Sequence, residues 1–321
     1  MWKRSVTVFV LLAVLAAPVA RAQEWPDRPV KLVVPFGVGG TADIVARIVA
    51  ARFSVVLGQQ FVVENRGGAA GVIGAEFVAH APADGYTLLM ANQPQIVIAP
   101  LMSKTSYDPL RDFVPISNVG DVPFVLVVNR GLPVSTLGGF IDYARARPGK
   151  LTYAVTGFGS VNHLTMMLLL KQAGVDMVAA AYKAGSSGLT DLIAGHVHAY
   201  FLGAPVIIPH AGSPGVTLLA VTSERRLPQL PQVPTLAESG FPELKILLWT
   251  GLFAPTGTPR AIVDRISRET ERAIRDPAFA ERLADNGIDP RGSKPEEFAT
   301  VVTKDIAFWR DAIRITGIRE K

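Results

Sequence analysis

The chain has no cysteine among its 321 residues. It can therefore form no disulfide, and it can use neither a thiol nucleophile nor a thiolate metal ligand. Histidine is also scarce, with five residues, and His196 and His198 are expected to share one face of a strand. A metal site needs a third ligand, and no partner pattern is evident near this pair. We therefore predict neither a metal nor a cofactor.

The chain also lacks a strong excess of charge of one sign. Its formal net charge is +5, and Lys3, Arg4 and Arg21 contribute three of the positive charges. Without these three residues the excess falls to two, whereas binding to nucleic acid requires a clustered basic face. We predict no nucleic-acid partner.

Long apolar runs are missing except at the N-terminus. The run Val6–Val19 has fourteen residues, which is too short to span a bilayer. It follows two basic residues and precedes Ala20-Arg21-Ala22, a small-x-small cleavage signal. We predict that residues 1–22 are a signal peptide cleaved after Ala22, so that the mature protein is periplasmic and not stably inserted in the membrane. An uncleaved anchor is the alternative.

Strand-like apolar runs alternate with helical patterns along most of the mature chain. The order β-α-β-α-β starts with VKLVVPF and restarts with FVLVVNR, which predicts two α/β domains with parallel sheets. The helical patterns after the last strand, KILLWTGLFAP, should pack back on the first sheet. We predict a discontinuous first domain of residues 23–124 and 248–321 and a second domain of residues 125–247. The crossings near Phe124 and Leu247 would serve as hinges.

Capping residues mark the C-terminal helices. Thr258 is expected to cap a helix that has Pro259 at its first position, and Ser293 is expected to cap the last long helix. In that last helix, Val301 and Trp309 are among the residues predicted to face inward.

A glycine-rich segment, PFGVGGTAD, occupies residues 35–43 between the first strand and the first helix. Gly37, Gly39 and Ala42 match G-x-G-x-x-A, a form of the dinucleotide fingerprint, and Glu64 stands where a ribose-binding acid would. Export counts against this interpretation, because free nicotinamide cofactor is not expected outside the cytoplasm. The second interpretation is a carboxylate site, since free N–H groups at a helix start carry partial positive charge.

The residues of this segment have different expected roles. The N–H groups of Gly39 and Gly40 should face the ligand, where a Cβ would intrude. Thr41 can add a hydroxyl donor. Asp43 lies near the third helical position, and pinning the loop through its N–H groups is favoured over ligand contact.

A matching segment, TGFGSVNHL, follows a strand and precedes a helix in the second half of the chain. Gly157, Gly159 and Ser160 again combine small residues, N–H groups and a hydroxyl. Two such loops, one in each domain and both at carboxyl ends of strands, fit a cleft that closes on one anion. His163 is expected to bond a loop carbonyl, with ligand contact as the alternative.

Catalytic patterns are not evident. Ser160 and Ser186-Ser187 lie outside a G-x-S-x-G elbow, and no triad order suggests itself. We predict that the protein is not an enzyme, and a hydrolase remains an alternative.

From Trp25-Pro26 to the C-terminus, the chain resembles the periplasmic substrate-binding proteins of tripartite tricarboxylate transporters, also called Bug-type receptors. The segments that carry the resemblance are WPDRPVKLVVPF with the Gly-Gly-x-x-Asp loop, VENRGGAAGVIGAEFVAHAPADGYTLLM, YKAGSSGLTDLIAGHV, LLAVTSERR, PQVPTLAESGFP and WTGLFAPTGTP. Each segment is weak alone, and their order and spacing together are specific.

The resemblance implies a two-domain periplasmic-binding-protein (Venus flytrap) architecture of the α/β class. Each domain would be a mixed, mostly parallel sheet flanked by helices. The receptor would capture a small carboxylate in the interdomain cleft, without catalysis, and deliver it to membrane transporter subunits. A monomer is expected.

The resemblance also assigns ligand-binding residues. In such receptors the two loops grip one carboxylate end mainly through main-chain N–H groups and ordered waters. Carried over to this chain, the loop residues are Phe36, Gly37, Val38, Gly39, Gly40, Thr41 and Asp43 on one side and Phe158, Gly159, Ser160 and His163 on the other. Asn92 and Tyr182 are further wall candidates, and Asp191 in the LTDL segment would order the cleft.

Two departures from the family pattern bear on the ligand. Gly37-Val38 stands where prolines or alanines commonly precede Gly-Gly, which would loosen or enlarge the cleft. The stretch Phe201-Leu202-Gly203-Ala204 stands where the family often has Phe-Asp. The loss of this acid makes the distal wall, with Gly203 and Ala204, more apolar and favours an apolar or aromatic carboxylate.

Two other functions stay open on the sequence alone. One is an exported enzyme that acts on a carboxylate substrate in the same cleft. The other is a receptor whose closed form signals to a sensor partner instead of a transporter.

Overall fold

The computed structural model of the chain describes residues 25–183 and 185–318. The predicted signal peptide and its cleavage site lie outside these residues. Among the residues described, no helix combines the length and apolar character needed to cross a membrane.

Strands and helices alternate along the described chain. The strands are β1 (Val30–Val34), β2 (Phe61–Asn65), β3 (Thr87–Ala91), β4 (Phe113–Asn129), β5 (Thr152–Val155), β6 (Val178–Ala181), β7 (Ala199–Gly203), β8 (Val216–Val221), β9 (Leu247–Pro255) and β10 (Asp289–Pro290). The α-helices are α1 (Thr41–Leu57), α2 (Val72–Ala79), α3 (Ala99–Met102), α4 (Pro109–Asp112), α5 (Leu137–Arg145), α6 (Val161–Ala173), α7 (Gly185–Ala194), α8 (Ala204–Ile207), α9 (Arg260–Arg275), α10 (Pro277–Asp285) and α11 (Pro295–Thr316). Ala69–Gly71 and Ile208–His210 form 3-10 turns, and Pro94–Ile98 forms a π-helical turn.

The first sheet has the strand order β2-β1-β3-β9-β4, with β10 on β4. Its first three strands are parallel, and β9 pairs antiparallel with both β3 and β4. The parallel strands are nearly continuous apolar runs, and Val30, Leu32, Val33 and Val34 of β1 are fully buried. Burial on both faces is what a parallel sheet covered by helices requires.

The second sheet repeats this arrangement. Strands β6, β5 and β7 are parallel, and β4 pairs antiparallel with β7 on one side and β8 on the other. Antiparallel pairing is therefore more extensive than the sequence indicated, because the chain crosses between the sheets within strands and not in loops. Parallel pairing is confined to three strands in each sheet.

Strand β4 belongs to both sheets. Residues Phe113–Pro123 pair with β9 in the first sheet, and Phe124–Asn129 pair with β7 and β8 in the second. Beside this changeover, the Thr222 hydroxyl accepts the N–H of Phe124 at 2.9 Å and donates to the carbonyl of Ile246 at 2.6 Å. One side chain thus joins the two connections between the sheets.

The C-terminal helices pack back on the first sheet, as predicted. The Phe298 ring of α11 lies 5.2 Å from Trp249 and 5.1 Å from Phe253 on β9, centroid to centroid. A Cβ on Gly251 would overlap the Phe298 ring, so only glycine fits there. Helix α11 also reaches the second domain, where the Lys171 ammonium donates to the carbonyl of Ile315.

Three details of these helices differ from the prediction. Thr258 does not cap α9, since Pro259 is the N-cap and the Thr258 hydroxyl donates back to Pro255. Lys294, not Ser293, is the N-cap of α11, and the Ser293 hydroxyl instead accepts the N–H of Asn118 on β4. Val301 is exposed, because the core face of α11 runs through Phe298, Val302 and Trp309.

Candidate functional site

The two glycine loops share one backbone device. Gly39 and Gly159 both have positive φ, 76° and 79°. The Gly39 N–H donates to Asp43 Oδ2 at 2.9 Å, and the Gly159 N–H donates to His163 Nδ1 at 3.0 Å. In each loop, the side chain four residues further along pins the glycine. The expectation that the Gly39 N–H faces a ligand is therefore wrong, because Asp43 already accepts it.

Asp43 pins the first loop from inside the protein. Its buried carboxylate also accepts Arg47 Nε at 3.0 Å and Asn65 Nδ2 at 3.0 Å. Burial alone would raise the pKa of Asp43, but the hydrogen bonds from Arg47, the Gly39 N–H and Asn65 together hold it below its ordinary value. The carboxylate is thus charged at neutral pH and fully used within the loop.

His163 pins the second loop as a neutral ring. It is buried, stacks on Tyr153 with centroids 6.2 Å apart, and meets the Phe158 ring edge to face at 5.5 Å. Burial lowers the pKa of His163 to about 4, so Nδ1 is an acceptor at neutral pH. The ring holds an N–H of the loop and not the carbonyl that the sequence suggested.

The free donors of both loops lie at helix N-termini. Helix α1 begins after Gly40 and α6 begins after Ser160, and their first intrahelical bonds run from Ile44 to Gly40 and from Leu164 to Ser160, each at 3.0 Å. The N–H groups between these residues have no partner within their helices. They carry the positive end of each helix dipole.

Both helix ends line one small cavity between the domains, here called the inner pocket. Its volume is about 60 Å³. This is enough space for about two water molecules. Its lining from the first domain is Phe36, Gly40, Thr41, Ala42, Asn92, Pro94, Phe124 and Leu248, and from the second Thr156, Ser160, Val161, Asn162, Gly185, Tyr200, Phe201, Leu202, Gly203 and Val206.

Polar side chains order the inner pocket. Asn162 Oδ1 lies 3.1 Å from the Thr156 hydroxyl and 2.5 Å from the Ser160 hydroxyl, both of which can donate to it. On the opposite wall, Asn92 Nδ2 donates to the carbonyl of Trp249 at 2.8 Å. Asn92 Oδ1 is buried and has no hydrogen-bond partner among residues 25–183 and 185–318. The Tyr200 hydroxyl, on another lining residue, is likewise buried without a partner among the described residues. The pocket therefore offers donors from two helices and two unused side-chain oxygens.

A larger cavity adjoins the inner pocket and is here called the outer chamber. Its volume is about 1020 Å³, and it shares Phe36, Pro94 and Thr156 with the inner pocket. Its other lining residues are Gly68, Ala69, Ala70, Gly71, Val72, Ile98, Ala99, Met102, Ser103, Lys104, Thr105, Gly157, Phe158, Gly159, His163, Ala181, Tyr182, Lys183 and Ile318. Both domains contribute to these walls.

The structure divides the predicted site residues between these two cavities. The inner pocket contains Phe36, Gly40, Thr41, Asn92, Ser160 and Gly203, and the outer chamber contains Phe158, Gly159, His163 and Tyr182. The Tyr182 hydroxyl donates to Asp191 Oδ2 at 2.7 Å. Burial, followed by this hydrogen bond, raises the pKa of Tyr182 to about 12. Asp191 thus does not line the chamber itself but orients the Tyr182 hydroxyl through this hydrogen bond.

Other predicted residues line neither cavity. They are Gly37, Val38, Gly39, Asp43, Asp191 and Ala204. Val38 is 63% exposed and turns to solvent, with its carbonyl accepting the Ser186 hydroxyl at 3.4 Å from the other domain. Ala204 is fully buried, and a Cβ on Gly287 would lie 2.8 Å from its Cβ, so it belongs to the packing between domains.

Several lining residues were missed in the sequence. Thr156 and Asn162 are close in sequence to the predicted residues Gly157 and Ser160. Thr156 directly follows β5, and its position at the carboxyl end of a strand could have identified it as a candidate. Ala69 and Ala70 have φ values of 46° and 51°, and Ala70 faces Gly157 of the second domain. Such paired left-handed alanines cannot be inferred from residue type, because alanine normally avoids this conformation.

The histidine pair does not form a metal site. Strand β7 begins after His198, whose Nδ1 accepts the Thr152 N–H at 3.0 Å, so the two rings share no strand face. Within the described parts of the chain, no three acidic or histidine side chains are grouped to hold a metal ion.

Comparison with known proteins gives one consistent result. A profile of the tripartite tricarboxylate transporter family receptor matches residues 45–318. The protein BugT of Bordetella pertussis is 37% identical over 316 residues, covering 98% of this chain and 97% of BugT. These matches extend over almost the whole length of both chains.

Solved structures agree in sequence and in fold. Rpa4515 of R. palustris, solved with adipate, has a TM-score of 0.90 and 36% identity, covering 92% of this chain and 99% of that one. The periplasmic binding protein BugD has a TM-score of 0.88 and 32% identity, covering 92% and 100%. The two-domain periplasmic-binding-protein architecture expected from the sequence is confirmed.

Proposed function

The chain belongs to the tripartite tricarboxylate transporter receptor family, and we propose that its ligand carboxylate is held in the inner pocket between the N-termini of α1 and α6. The family function is that of a periplasmic receptor, not an enzyme, which binds a small carboxylate and serves a tripartite transporter. In this chain, the two helix N-termini would supply the contacts that such binding requires.

The observation that carries the proposal is the meeting of two helix N-termini, one from each domain, at one cavity. Each contributes unpaired N–H groups and a partial positive charge, worth about 0.3–1 kcal/mol for an adjacent anion at an exposed site and more when buried. Thr41 and Ser160 add hydroxyls at the same helix starts. A carboxylate between them would contact both domains at once.

The N–H donors in this proposal are those of Gly40, Thr41 and Ala42 facing those of Val161 and Asn162. The unused Asn92 Oδ1 would accept from a bridging water or a ligand hydroxyl. One wall of the pocket is apolar and consists of Phe201, Leu202 and Leu248. It suits a ligand in which an uncharged hydrocarbon segment adjoins the carboxylate.

We place the domain boundaries at Phe124 in β4 and at Leu247 in β9. Support comes from the change of partner strands within β4 at that point and from the Thr222 side chain, which joins the two connections. Rotation about these crossings would open and close the inner pocket. Because the ligand touches both domains, it favours the closed arrangement.

Export and delivery complete the proposal. The N-terminal segment would direct export and be removed after Ala22. The mature monomer would then present its ligand to the membrane subunits of the transporter. N-terminal sequencing of periplasmic protein should find Gln23 or a close neighbour first, and full-length protein retained in the cytoplasm of a secreting host would contradict it.

The central test compares an acid with its uncharged analogue. Adipate should compact the protein in small-angle scattering and raise its melting temperature, whereas adipamide should do neither, because the helix ends favour negative charge. Ligand at a hundredfold excess over its Kd stabilises the folded state by about 2.7 kcal/mol, which a melting curve detects easily. The adipate should be recovered unchanged.

Each of three other outcomes would contradict a different part of the proposed function. Equal binding of acid and amide would remove the role of the helix N-termini. Binding without compaction would place the ligand on one domain only. Chemical conversion of the ligand would make the protein an enzyme.

A further inference from the structure

Four successive residues, Gly68 to Gly71, have positive φ values and are here called the alanine turn. Two of them are alanines, Ala69 and Ala70, with φ values of 46° and 51°. Alanine normally avoids this region of backbone space, and such residues persist only where the surrounding structure holds them. The alanine turn therefore needs contacts that keep it in this conformation.

The Gln95 side chain supplies such contacts. It is fully buried, and its Nε2 donates to the carbonyl of Ala70 at 3.0 Å. A Cβ on Gly71 would overlap this nitrogen, so the Gln95 amide packs directly against the turn at a position that only glycine allows. Within the turn, the Gly71 N–H donates to the carbonyl of Gly68 at 2.8 Å. Gln95 thus holds the alanine turn from the interior of the first domain.

The oxygen of the same side chain bonds a wall of the inner pocket. Gln95 Oε1 accepts the N–H of Asn92 at 3.1 Å, and Asn92 lines the inner pocket with its unused Oδ1. The Gln95 carbonyl accepts the Tyr107 hydroxyl at 2.7 Å, which fixes the π-helical turn that carries Gln95. Gln95 itself lines neither cavity. Its amide therefore joins the pocket wall to the alanine turn from behind the ligand site.

On its outer side, the alanine turn meets the second domain. A Cβ on Gly157 would lie 3.4 Å from Ala70 Cβ, so the two segments are in close contact across the cleft. The Gly157 carbonyl accepts the Ser160 N–H at 3.2 Å and the Ser160 hydroxyl at 2.7 Å. Ser160 is the N-cap of α6 and lines the inner pocket. The alanine turn thus contacts the loop that forms the opposite half of the ligand site.

From these contacts we infer that Gln95 is a positioning residue for closure of the two domains on the ligand. It keeps the alanine turn in the conformation that meets Gly157 when the domains close, and it ties that conformation to the Asn92 wall of the inner pocket. The inference rests on the function proposed above, to which it adds a residue that acts without lining the ligand site.

Strain in the alanine turn is the reason that such a residue is needed. Without Gln95, the two alanines would relax to negative φ in the open form, and closure would have to restore the positive values. This cost falls on the closed form alone, so a bound ligand should dissociate faster. Association should change little, because the ligand enters the open form, in which the alanine turn and Gly157 are apart.

The test measures association and dissociation rates of adipate by stopped-flow fluorescence on the wild type, Gln95→Met and Gln95→Asn. Methionine keeps the length of the side chain and removes both hydrogen bonds. Asparagine keeps the amide but is one methylene too short to bond Asn92 and Ala70 together. It provides the answer if Gln95→Met does not fold.

Two control variants separate this role from an effect on general stability. Thr270→Val removes a buried hydroxyl of α9 that donates to the carbonyl of Ile266, outside both cavities. Gln172→Met makes the same replacement on the exposed surface of α6. Urea denaturation compares the unfolding free energies of all variants.

A further substitution tests whether Gln95 acts through the alanine turn. Ala69 is exposed, and asparagine adopts positive φ more readily than alanine does. Ala69→Asn should therefore let the turn keep its conformation without Gln95. The effect of Gln95→Met should accordingly be smaller in the Ala69→Asn background than in the wild type.

The expected change is confined to dissociation. Adipate should leave Gln95→Met about tenfold faster than the wild type, with an association rate within about twofold. Gln95→Asn should change in the same direction. In the Ala69→Asn background, Gln95→Met should accelerate dissociation only about threefold. Both control variants should match the wild type within about twofold.

Three results would overturn the inference while leaving the carboxylate site intact. They are an unchanged dissociation rate in the Gln95 variants, an equal acceleration with and without Ala69→Asn, and a loss that appears in association instead of dissociation. If the wild type does not bind adipate at all, the proposed function itself fails, and the role of Gln95 fails with it.

Discussion

The two glycine loops solve the same problem with different chemistry. In both, a glycine with positive φ gives its N–H to the side chain four residues on. In the first loop this acceptor is the charged Asp43, anchored by Arg47 and Asn65. In the second loop it is the neutral His163, held between Tyr153 and Phe158. One loop is fixed by charge, and the other by ring packing.

The difference predicts that the two loops lose the stabilising contribution of their pinning side chains in different pH ranges. The pKa of Asp43 is lowered in the folded state, so its contribution is present above its unfolded pKa, about 3.9, and is lost as the pH falls through its lower folded value. The folded pKa of His163 is about 4, below the unfolded value of about 6.5. Its contribution is present above 6.5 and is lost as the pH falls toward 4.

The largest effect should come from removing the charged acceptor. Asp43→Ala leaves the Gly39 N–H and the Arg47 guanidinium without their partner, so we expect a loss of about 3 kcal/mol in unfolding free energy at pH 7. Urea denaturation measures it. Asp142→Ala is the control, because the Asp142–Arg145 pair is exposed and should contribute below about 1 kcal/mol. Equal losses in the two variants would contradict the pinning role.

A somewhat smaller effect should follow from keeping Thr41 and the end of β7 apart. A Cβ on Gly203 would overlap the Thr41 hydroxyl across the inner pocket, while its φ of −59° suits alanine. We expect Gly203→Ala to weaken adipate binding about thirtyfold, roughly 2 kcal/mol. Titration calorimetry measures the affinity.

Two further variants show whether this loss comes from the overlap. Gly138→Ala adds a methyl group where nothing lies within 4 Å and should bind adipate normally. Adding Thr41→Ala to Gly203→Ala removes the hydroxyl and should restore part of the affinity. A double variant weaker than the sum of its parts would show that Thr41 matters chiefly as a ligand donor.

The third prediction concerns acid sensitivity. Between pH 6.5 and 4 the wild type should lose up to about 1.4 kcal/mol of stability per pH unit through His163. His163→Asn can place Oδ1 where Nδ1 accepts the Gly159 N–H but cannot titrate, so its stability should fall less steeply. Urea denaturation at pH 7.0, 5.5 and 4.5 gives both slopes. Parallel slopes would show that His163 does not titrate in this window.

The smallest expected effect is the difference in melting temperature between alanine variants of the two loop glycines. Gly39→Ala and Gly159→Ala each force an L-residue into positive φ, which costs about 1–2 kcal/mol. A new Cβ at position 39 finds ordinary contact with Ser186, whereas at position 159 it meets Met102 Sδ at 2.7 Å. Gly159→Ala should therefore melt lower than Gly39→Ala, and the reverse order would show that Met102 moves aside freely.

Much of this architecture is predictable from residue patterns. Alternating apolar runs indicated two α/β domains, and the helix starts after PFGVGG and TGFGS placed both loops correctly. These signals are local, because strand periodicity and glycine-rich turns depend on neighbouring residues. The presence of Thr41 and Ser160 at one pocket also followed from strand ends, whereas Asn92 came from the resemblance to the receptor family.

What was missed depends on geometry between distant segments. Pinning of the first loop by Asp43 was the favoured prediction, whereas His163 was expected to bond a loop carbonyl and not the Gly159 N–H that it accepts. Gln95 and Ala70 are 25 positions apart and have no pattern in common, so only the fold joins them. Val301 was misplaced because helical periodicity alone does not define how wide the buried face is.

The position of β9 has a consequence for how the chain acquires its structure. In the first sheet, β9 lies between β3 and β4, yet it follows every strand of the second sheet in the sequence. A chain emerging N-terminus first completes the second sheet at Val221, while β3 and the first half of β4 still present unpaired edges. Joining them requires a contact of high sequence separation, which is slow. We expect amide protection to develop first in β4–β8 and only afterwards in β1–β3, so that the half of the molecule made first is finished last.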